Sequence, residues 1–454
     1  MKNWTAGLFV FVLVLIAHLS SHAKVTSFAN NGTLKMFYDN RMYPQAVVVE
    51  GKMFAVWRGD EGHPYVISCD LNTREFSAPL NLMKGYEEEA DLKRYASDHH
   101  YAPVIWSDSQ NYLHVLHGCH RTKGIHMISE KPGSAKSWVR GPDISESISY
   151  PQVHRIYDDQ TLIYSRLSGH LGYWWYHISG DDGRSWAELP KPAINMSGEP
   201  NDGKWASFSG SYNTTAISSD GKRLHISFIW KVEDPVFNTR YKEILHDHTQ
   251  RYNLYYLYID LPSGKGFNIH GEEIELPVRK KTADEKLLVW DTDERPAVAG
   301  PSISLDEDDN PHFLLPVSDE DDILRSHFYF VSFENGGWRR VSITKTLHPF
   351  NSSYLEQTDD GVYHATMITG SGEKVIEEGM DEYGYGTAVE HWTSNDANWS
   401  KQSDFSPIPG MHYQNIQFIS NAMKEPMKNM LMFYGWDGRE NSGEAFLWDG
   451  RGEK

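Results

Sequence analysis

The chain has 454 residues, with 43 Lys and Arg against 62 Asp and Glu, a formal charge of -19. So acidic a surface argues against nucleic acid and anionic membranes as partners, yet allows a polyanion to bind where basic side chains gather in one cleft. Aromatic residues make up 13%, and the two cysteines are too few for a disulfide framework; Cys69 and Cys119 either pair or remain separate buried thiols.

Residues 1–23 read as a signal peptide. Lys2 gives a charged start, and GLFVFVLVLIA is an apolar run shorter than the roughly twenty residues of a spanning helix. Ser21 and Ala23 place cleavage before Lys24. The expected mature domain is 24–454, a soluble monomer exported to the periplasm or the medium.

From there the chain reads as a series of β-hairpins, each an apolar strand, a polar turn and a second apolar strand. Their turns fall at Glu50-Gly51, near Ser109, at Asp158-Asp159, at Asp220-Gly221, near Asp308, at Asp359-Asp360-Gly361 and near Glu425-Pro426. Asp, Asn and Gly suit these places because they tolerate or locally satisfy a left-handed backbone. Seven hairpins at intervals of about sixty residues predict an all-β fold, a seven-bladed β-propeller, with six blades as the alternative. A second marker recurs in register. SGDDGRSW, ending at Trp186, is a complete Asp-box turn, and degenerate copies end at Trp138, Trp338 and Trp399.

The second and third hairpins carry the candidate chemistry. DHHYAPVIWSDSQNYLHVLHGCHRT holds five histidines. His100 and His120 each lie ten positions from residue 110, the centre of the turn, so an antiparallel pairing sets them opposite each other. His99, His114 and His117 read as packing or surface residues. In the next hairpin, Tyr150 and Arg166 are each eight positions from residue 158, which predicts a second pair at the matching end. Tyr150 opens a Tyr-Pro-Gln triplet that also occurs at Tyr43, so a shared architectural role is the competing reading.

Two imidazoles and a phenol can move protons, and an arginine fork can neutralise a carboxylate. Together they suit removal of the proton beside a uronic acid carboxylate, followed by β-elimination of the C4 oxygen. Arg58, Lys204, Arg223 and Lys231 are further candidates for a basic canyon. A hydrolase would need paired carboxylates, whereas the acids here sit mostly in turns. A sialidase-like glycoside hydrolase and a non-catalytic sugar-binding propeller are the competing classes.

DHHYAP, the histidine of GCHRT, and SYPQ followed by YSR resemble the propeller-type ulvan lyases among the BNR-repeat polysaccharide lyases. The resemblance implies a seven-bladed propeller that cleaves ulvan, a sulfated rhamnose–uronic acid polymer, leaving an unsaturated uronate. It implies His100 and Tyr150 as the acid/base pair, and His120 and Arg166 as the groups holding the carboxylate. A further substrate-binding tyrosine falls on Tyr212. The chemistry so implied needs no cofactor. The resemblance also implies a structural metal, zinc or calcium, for which His246 and His248 share one face of a strand and His170 is the third candidate.

Overall fold

The computed structural model describes residues 24–33, 36–89, 92–167, 173–197, 209–233, 249–321, 325–370, 384, 386–396, 398–421, 426–437 and 443–450. The signal-peptide reading, Lys204, and the metal candidates His170, His246 and His248 all lie outside them.

All seven hairpins are present. Their first and second strands are Ala46–Val49 with Lys52–Arg58, Val104–Ser107 with Leu113–His117, Ile148–Arg155 with Thr161–Leu167, and Ser209–Ile217 with Arg223–Glu233. Ser302–Leu305 with Pro311–Ser318, Ser353–Gln357 with Tyr363–Thr369, and His412–Asn421 with Pro426–Trp436 complete the series. The turns use left-handed backbone where the residues allow it: Glu50 and Gly51 have φ 49° and 77°, and Asp158 and Asp159 have 54° and 56°. The α-helices among the described residues, Leu92–Ser97 and Lys280–Lys286, are short, and none is long and apolar enough to cross a membrane.

Each hairpin grows outward into a sheet. There are six hydrogen-bonded sheets among the described residues, one of them eight-stranded. That largest sheet joins two four-stranded antiparallel halves through the parallel pair Val47↔Ser420 and Val48↔Asn421. Its far half is finished by the N-terminal strand Lys24–Gly32, which pairs with Gly443–Asp449. The first strand of each hairpin packs against the first strand of the next, and the seventh against the first, so the series closes on itself.

Apolar clusters fill the spaces between successive sheets. Val47, Phe54 and Val66 meet Ile105, Leu113 and Val115; Leu254 and Tyr256 meet Phe313 and Val331; Phe328 and Phe330 meet Leu355 and Met367. Each such sheet buries its faces only against neighbours, which ties the stability of each hairpin to the next. Cys69 and Cys119 are separate buried thiols, which settles the cysteine alternative against a bridge.

The complete Asp-box turn behaves as the motif demands. The Asp181 carboxylate accepts from the Ser185 amide at 2.8 Å and from the Ser185 and Ser179 hydroxyls at 2.6 and 2.8 Å, while Trp186 packs on the core.

Residues 36–45 form a hub that bonds strands of five of the six sheets and the Gly300 carbonyl just ahead of the sixth. The Met36 and Gln45 carbonyls accept from Arg58 and Val56, and the Pro44 carbonyl accepts from Ile105. The Tyr43 amide donates to the Pro151 carbonyl, and its hydroxyl bonds the Thr215 carbonyl and hydroxyl. Asn40 donates to the Gly300 and Ser353 carbonyls, while Asn415 and Gln417 donate to the carbonyls of Phe37 and Tyr38. Tyr43, first of the two Tyr-Pro-Gln tyrosines, is therefore architectural.

Candidate active site

Asp98 starts the site. It N-caps the single 3-10 turn His99–Tyr101, with its Oδ1 accepting the His100 amide at 3.0 Å. The same oxygen lies 2.5 Å from His100 Nδ1, and its Oδ2 lies 2.9 Å from His120 Nδ1. The two imidazoles stack, with ring centroids 4.0 Å apart and planes 25° from parallel.

His100 and His120 thus meet as the sequence predicts, but not by the predicted route. The hairpin ladder ends at Val104↔Leu116. Gly118 then turns the chain at φ 72°, where a Cβ would lie 2.2 Å from the Tyr95 hydroxyl. His120–Thr122 consequently joins the neighbouring sheet, opposite Ser149, while His100 sits on the 3-10 turn. Of the other three histidines, His114 and His117 are buried, the former in a three-ring cluster with Trp106 and His126. His99 stacks on Tyr38 and lies 4.1 Å from His100, which places it in the site's wall rather than in blade packing.

Tyr150 is brought in by a bulge. Ser149 pairs with Arg166 and Gln152 with Tyr164, so Tyr150 and Pro151 together face the single residue Ser165, a bulge of one extra residue. Proline suits the place because it has no amide hydrogen to leave unpaired. Tyr150 has φ 56°, a left-handed conformation that costs a bulky residue about 1–3 kcal/mol. The bulge swings its ring over the adjoining side chains. The predicted pair with Arg166 is therefore a one-residue slip in register but a true contact, with the Arg166 guanidinium 4.5 Å from the Tyr150 ring centre. His100 and His120 lie 5.6 and 6.2 Å from that ring. The Tyr150 hydroxyl is buried and has no hydrogen-bond partner among the described residues.

Tyr212 stands edge-on to Tyr150 at 5.8 Å and is ringed by cations: Arg41 at 4.1 Å, Lys231 at 5.0 Å, Arg251 at 5.3 Å and Arg166 at 5.6 Å. All four are buried. Lys231 and Arg251 are direct cross-strand partners. Like charges so placed repel unless anionic groups share the space. Asp39 supplies one such group, gripping Arg41 through Nε at 2.9 Å and Nη2 at 2.5 Å. Burial works against the Asp39 carboxylate, yet the Arg41 fork holds its pKa below the ordinary value. Burial pulls His100 down to about 3, partly offset by Asp98, so its imidazole is neutral at pH 7.

Of the other basic candidates, Lys231 belongs to the site. Arg58 does not: its guanidinium is buried and donates to the Tyr95 and Ala96 carbonyls, bracing the helix ahead of Asp98. Arg223 follows the Gly221 turn, at the opposite end of its strand from Lys231, and lies over Tyr258. Arg41, Asp39, Tyr38 and Arg251 were not legible as site residues. The only local signal was the cluster YDNR just ahead of the first hairpin.

Asp98, His100 and His120 are also the one group of three metal-ligand side chains that converges among the described residues. Both Nδ1 atoms already lie at hydrogen-bond distance from the carboxylate, so the arrangement is one of shared protons rather than a coordination sphere.

A family model described as "BNR repeat-containing family member" matches residues 80–346, more than half of the chain. The chain belongs to that family. Among curated proteins it is similar to an ulvan lyase of Nonlabens ulvanivorans, 24% identical over 68% of this chain and 66% of that one. An ulvan lyase of Alteromonas sp. (strain LOR) is 24% identical over 60% and 58%. The matches span less than two thirds of each relative's own length. Among solved structures, the fold is that of a PL25 ulvan lyase bound to -[GlcA(1-4)Rha3S]-, with TM-score 0.74 and 17% identity over 93% of this chain and 95% of that one. The polysaccharide lyase Uly1 follows at TM-score 0.60 and 12% identity over 89% of each.

Proposed function

We propose that the protein is a secreted polysaccharide lyase that cleaves ulvan by β-elimination, built as a single seven-bladed β-propeller. The closed series of seven hairpins supports the blade count once the two halves of the eight-stranded sheet are taken as two blades. The names of the curated relatives support the substrate. The observation that carries the chemistry is the convergence of neutral His100, the unpartnered Tyr150 hydroxyl and the Arg166 guanidinium at one point.

In this reading the uronate carboxylate sits with Arg166, Arg41 and their neighbours, which stabilise the charge that builds up as C5 loses its proton. Neutral His100 takes that proton on Nε2. The C5–H electron pair becomes the C4–C5 double bond, and the C4–O4 bond breaks. Tyr150 donates its hydroxyl proton to the departing oxygen, and the phenolate then recovers a proton from His100. His120 and Tyr212 complete the wall around the sugar. No water enters the bond and no cofactor is required. A structural metal held by His170, His246 and His248, a donor set that suits zinc rather than the oxygen-seeking calcium, would take no part in this chemistry. The partner is the anionic polysaccharide, bound by a monomer that engages neither membrane nor nucleic acid; export follows from reading residues 1–23 as a signal peptide.

Incubation with ulvan tests this directly. New reducing ends should appear together with rising ultraviolet absorbance from the unsaturated uronate. Reducing ends without that absorbance would show a hydrolase, and neither signal would leave a binding module.

A further inference from the structure

One carboxylate serves two imidazoles. Asp98 receives His100 Nδ1 on one oxygen and His120 Nδ1 on the other, with the rings stacked at 4.0 Å. An ionised carboxylate can only accept, so both Nδ1 atoms must be the N–H donors. The second nitrogen of each ring, Nε2, then carries a lone pair. Cation placed on one ring would lie about 4 Å from the other, a separation at which a second like charge costs about 4 kcal/mol at the effective dielectric of a protein. The groups facing the pair are Asp98, His99, Tyr38, Tyr101, Tyr150 and Arg41.

We propose that Asp98 is a positioning residue: it fixes His100 and His120 in the Nδ1–H tautomer, so that the pair presents two proton-accepting Nε2 atoms and holds a single proton as one unit. His120 then acts as a second proton acceptor beside His100, a role different from the carboxylate-holding one that the resemblance implies. The electrostatics agree. Burial would raise the Asp98 carboxyl, but the hydrogen bonds from His100 and His120 hold it far below the usual carboxylate range. The proposal rests on the lyase reading only for its kinetic consequence.

Asp98→Asn is the informative change, because asparagine caps a helical turn as well as aspartate does and leaves the His99–Tyr101 turn its cap. Its amide nitrogen, however, is a donor and must face one imidazole. Full-length protein labelled with nitrogen-15 in histidine, with His100→Gln and His120→Gln for assignment, reads the tautomers by NMR without substrate. In the unaltered protein at pH 7 both rings should be Nδ1–H; in D98N at least one should become Nε2–H. An Nε2–H ring in the unaltered protein, or two unchanged rings in D98N, would overturn the proposal. On ulvan, D98N should lower kcat by about 100- to 10,000-fold, the range set by general acid–base catalysis and tautomer control. KM should change less than about threefold, and the acidic limb of the pH profile should move to lower pH, since losing the carboxylate makes the imidazoles less basic. A lowered melting midpoint with an unmoved limb would show a merely structural role. If the unaltered protein fails to cleave ulvan, the lyase reading falls and the tautomers still decide Asp98.

Discussion

Replacing Arg166 by glutamine removes the cation set closest to the Tyr150 ring while keeping much of the side chain's bulk. The guanidinium lies 4.5 Å from the Tyr150 ring centre and is fully buried, so a carboxylate bound against it is shielded from water. At about 4 Å and an effective dielectric of about 20, such a pair is worth roughly 4 kcal/mol. Arg41, 4.9 Å from the same ring, remains and recovers part of the loss. A net loss of about 2–3 kcal/mol corresponds to about a 30- to 150-fold fall in kcat/KM. The loss should divide between KM, because the carboxylate is already charged when bound, and kcat, because it takes on further negative charge as the C5 proton leaves. Initial rates of unsaturated-uronate formation over a range of ulvan concentrations separate the two constants. A kcat/KM within threefold of the unaltered protein would refute the assignment, as would a loss confined to KM.

Tyr150→Phe removes the buried hydroxyl without disturbing the bulge, and should cost kcat about 100-fold or more at an unchanged melting midpoint; rates near normal would remove Tyr150 from the acid/base pair. Burial holds His117, His126, His154 and His225 at about 3, as it does His100. A folded pKa below the unfolded value of about 6.5 means stability that is complete above pH 6.5 and is lost as pH falls toward 3, at up to about 1.4 kcal/mol per pH unit for each group. The melting midpoint should therefore drop steeply between pH 7 and 5, and a flat profile there would contradict the neutral buried imidazoles. Cys69 and Cys119 should resist a thiol reagent in the native state and react on unfolding, with no effect of reductant on the midpoint; rapid modification of the folded protein would place a thiol at the surface.

The hairpins were legible because their turns use residues with a physical reason to be there, and the Asp181 turn because its bonds are local. Proximity of His100 to His120, and of Tyr150 to Arg166, was legible too, although the counting rule extended the first ladder further than it runs and missed the one-residue slip in the second. A glycine turn at Gly118 and a bulge at Tyr150 break the regular register, and both breaks serve to aim side chains at the site. Arg41 and Tyr38 were not legible, because nothing in their local spacing marks them. They reach the site through hydrogen bonds from residues as distant as Gln417, and no periodicity encodes contacts of that range.

The hub at residues 36–45 bears on the order in which the chain can become active. Its carbonyls wait for Asn415 and Gln417, and the strand just before it waits for Gly443–Asp449. A ribosome delivers Asn415 and Gln417, respectively, 378 and 379 residues after Phe37 and Tyr38, so the segment carrying Tyr38 and Arg41 emerges long before them. Such separated contacts make for slow ring closure. They also mean that a chain interrupted before Asn415 leaves the Phe37 and Tyr38 carbonyls without these donors. Assembly of the candidate site thereby waits for strands made hundreds of residues after the segment that carries Tyr38 and Arg41.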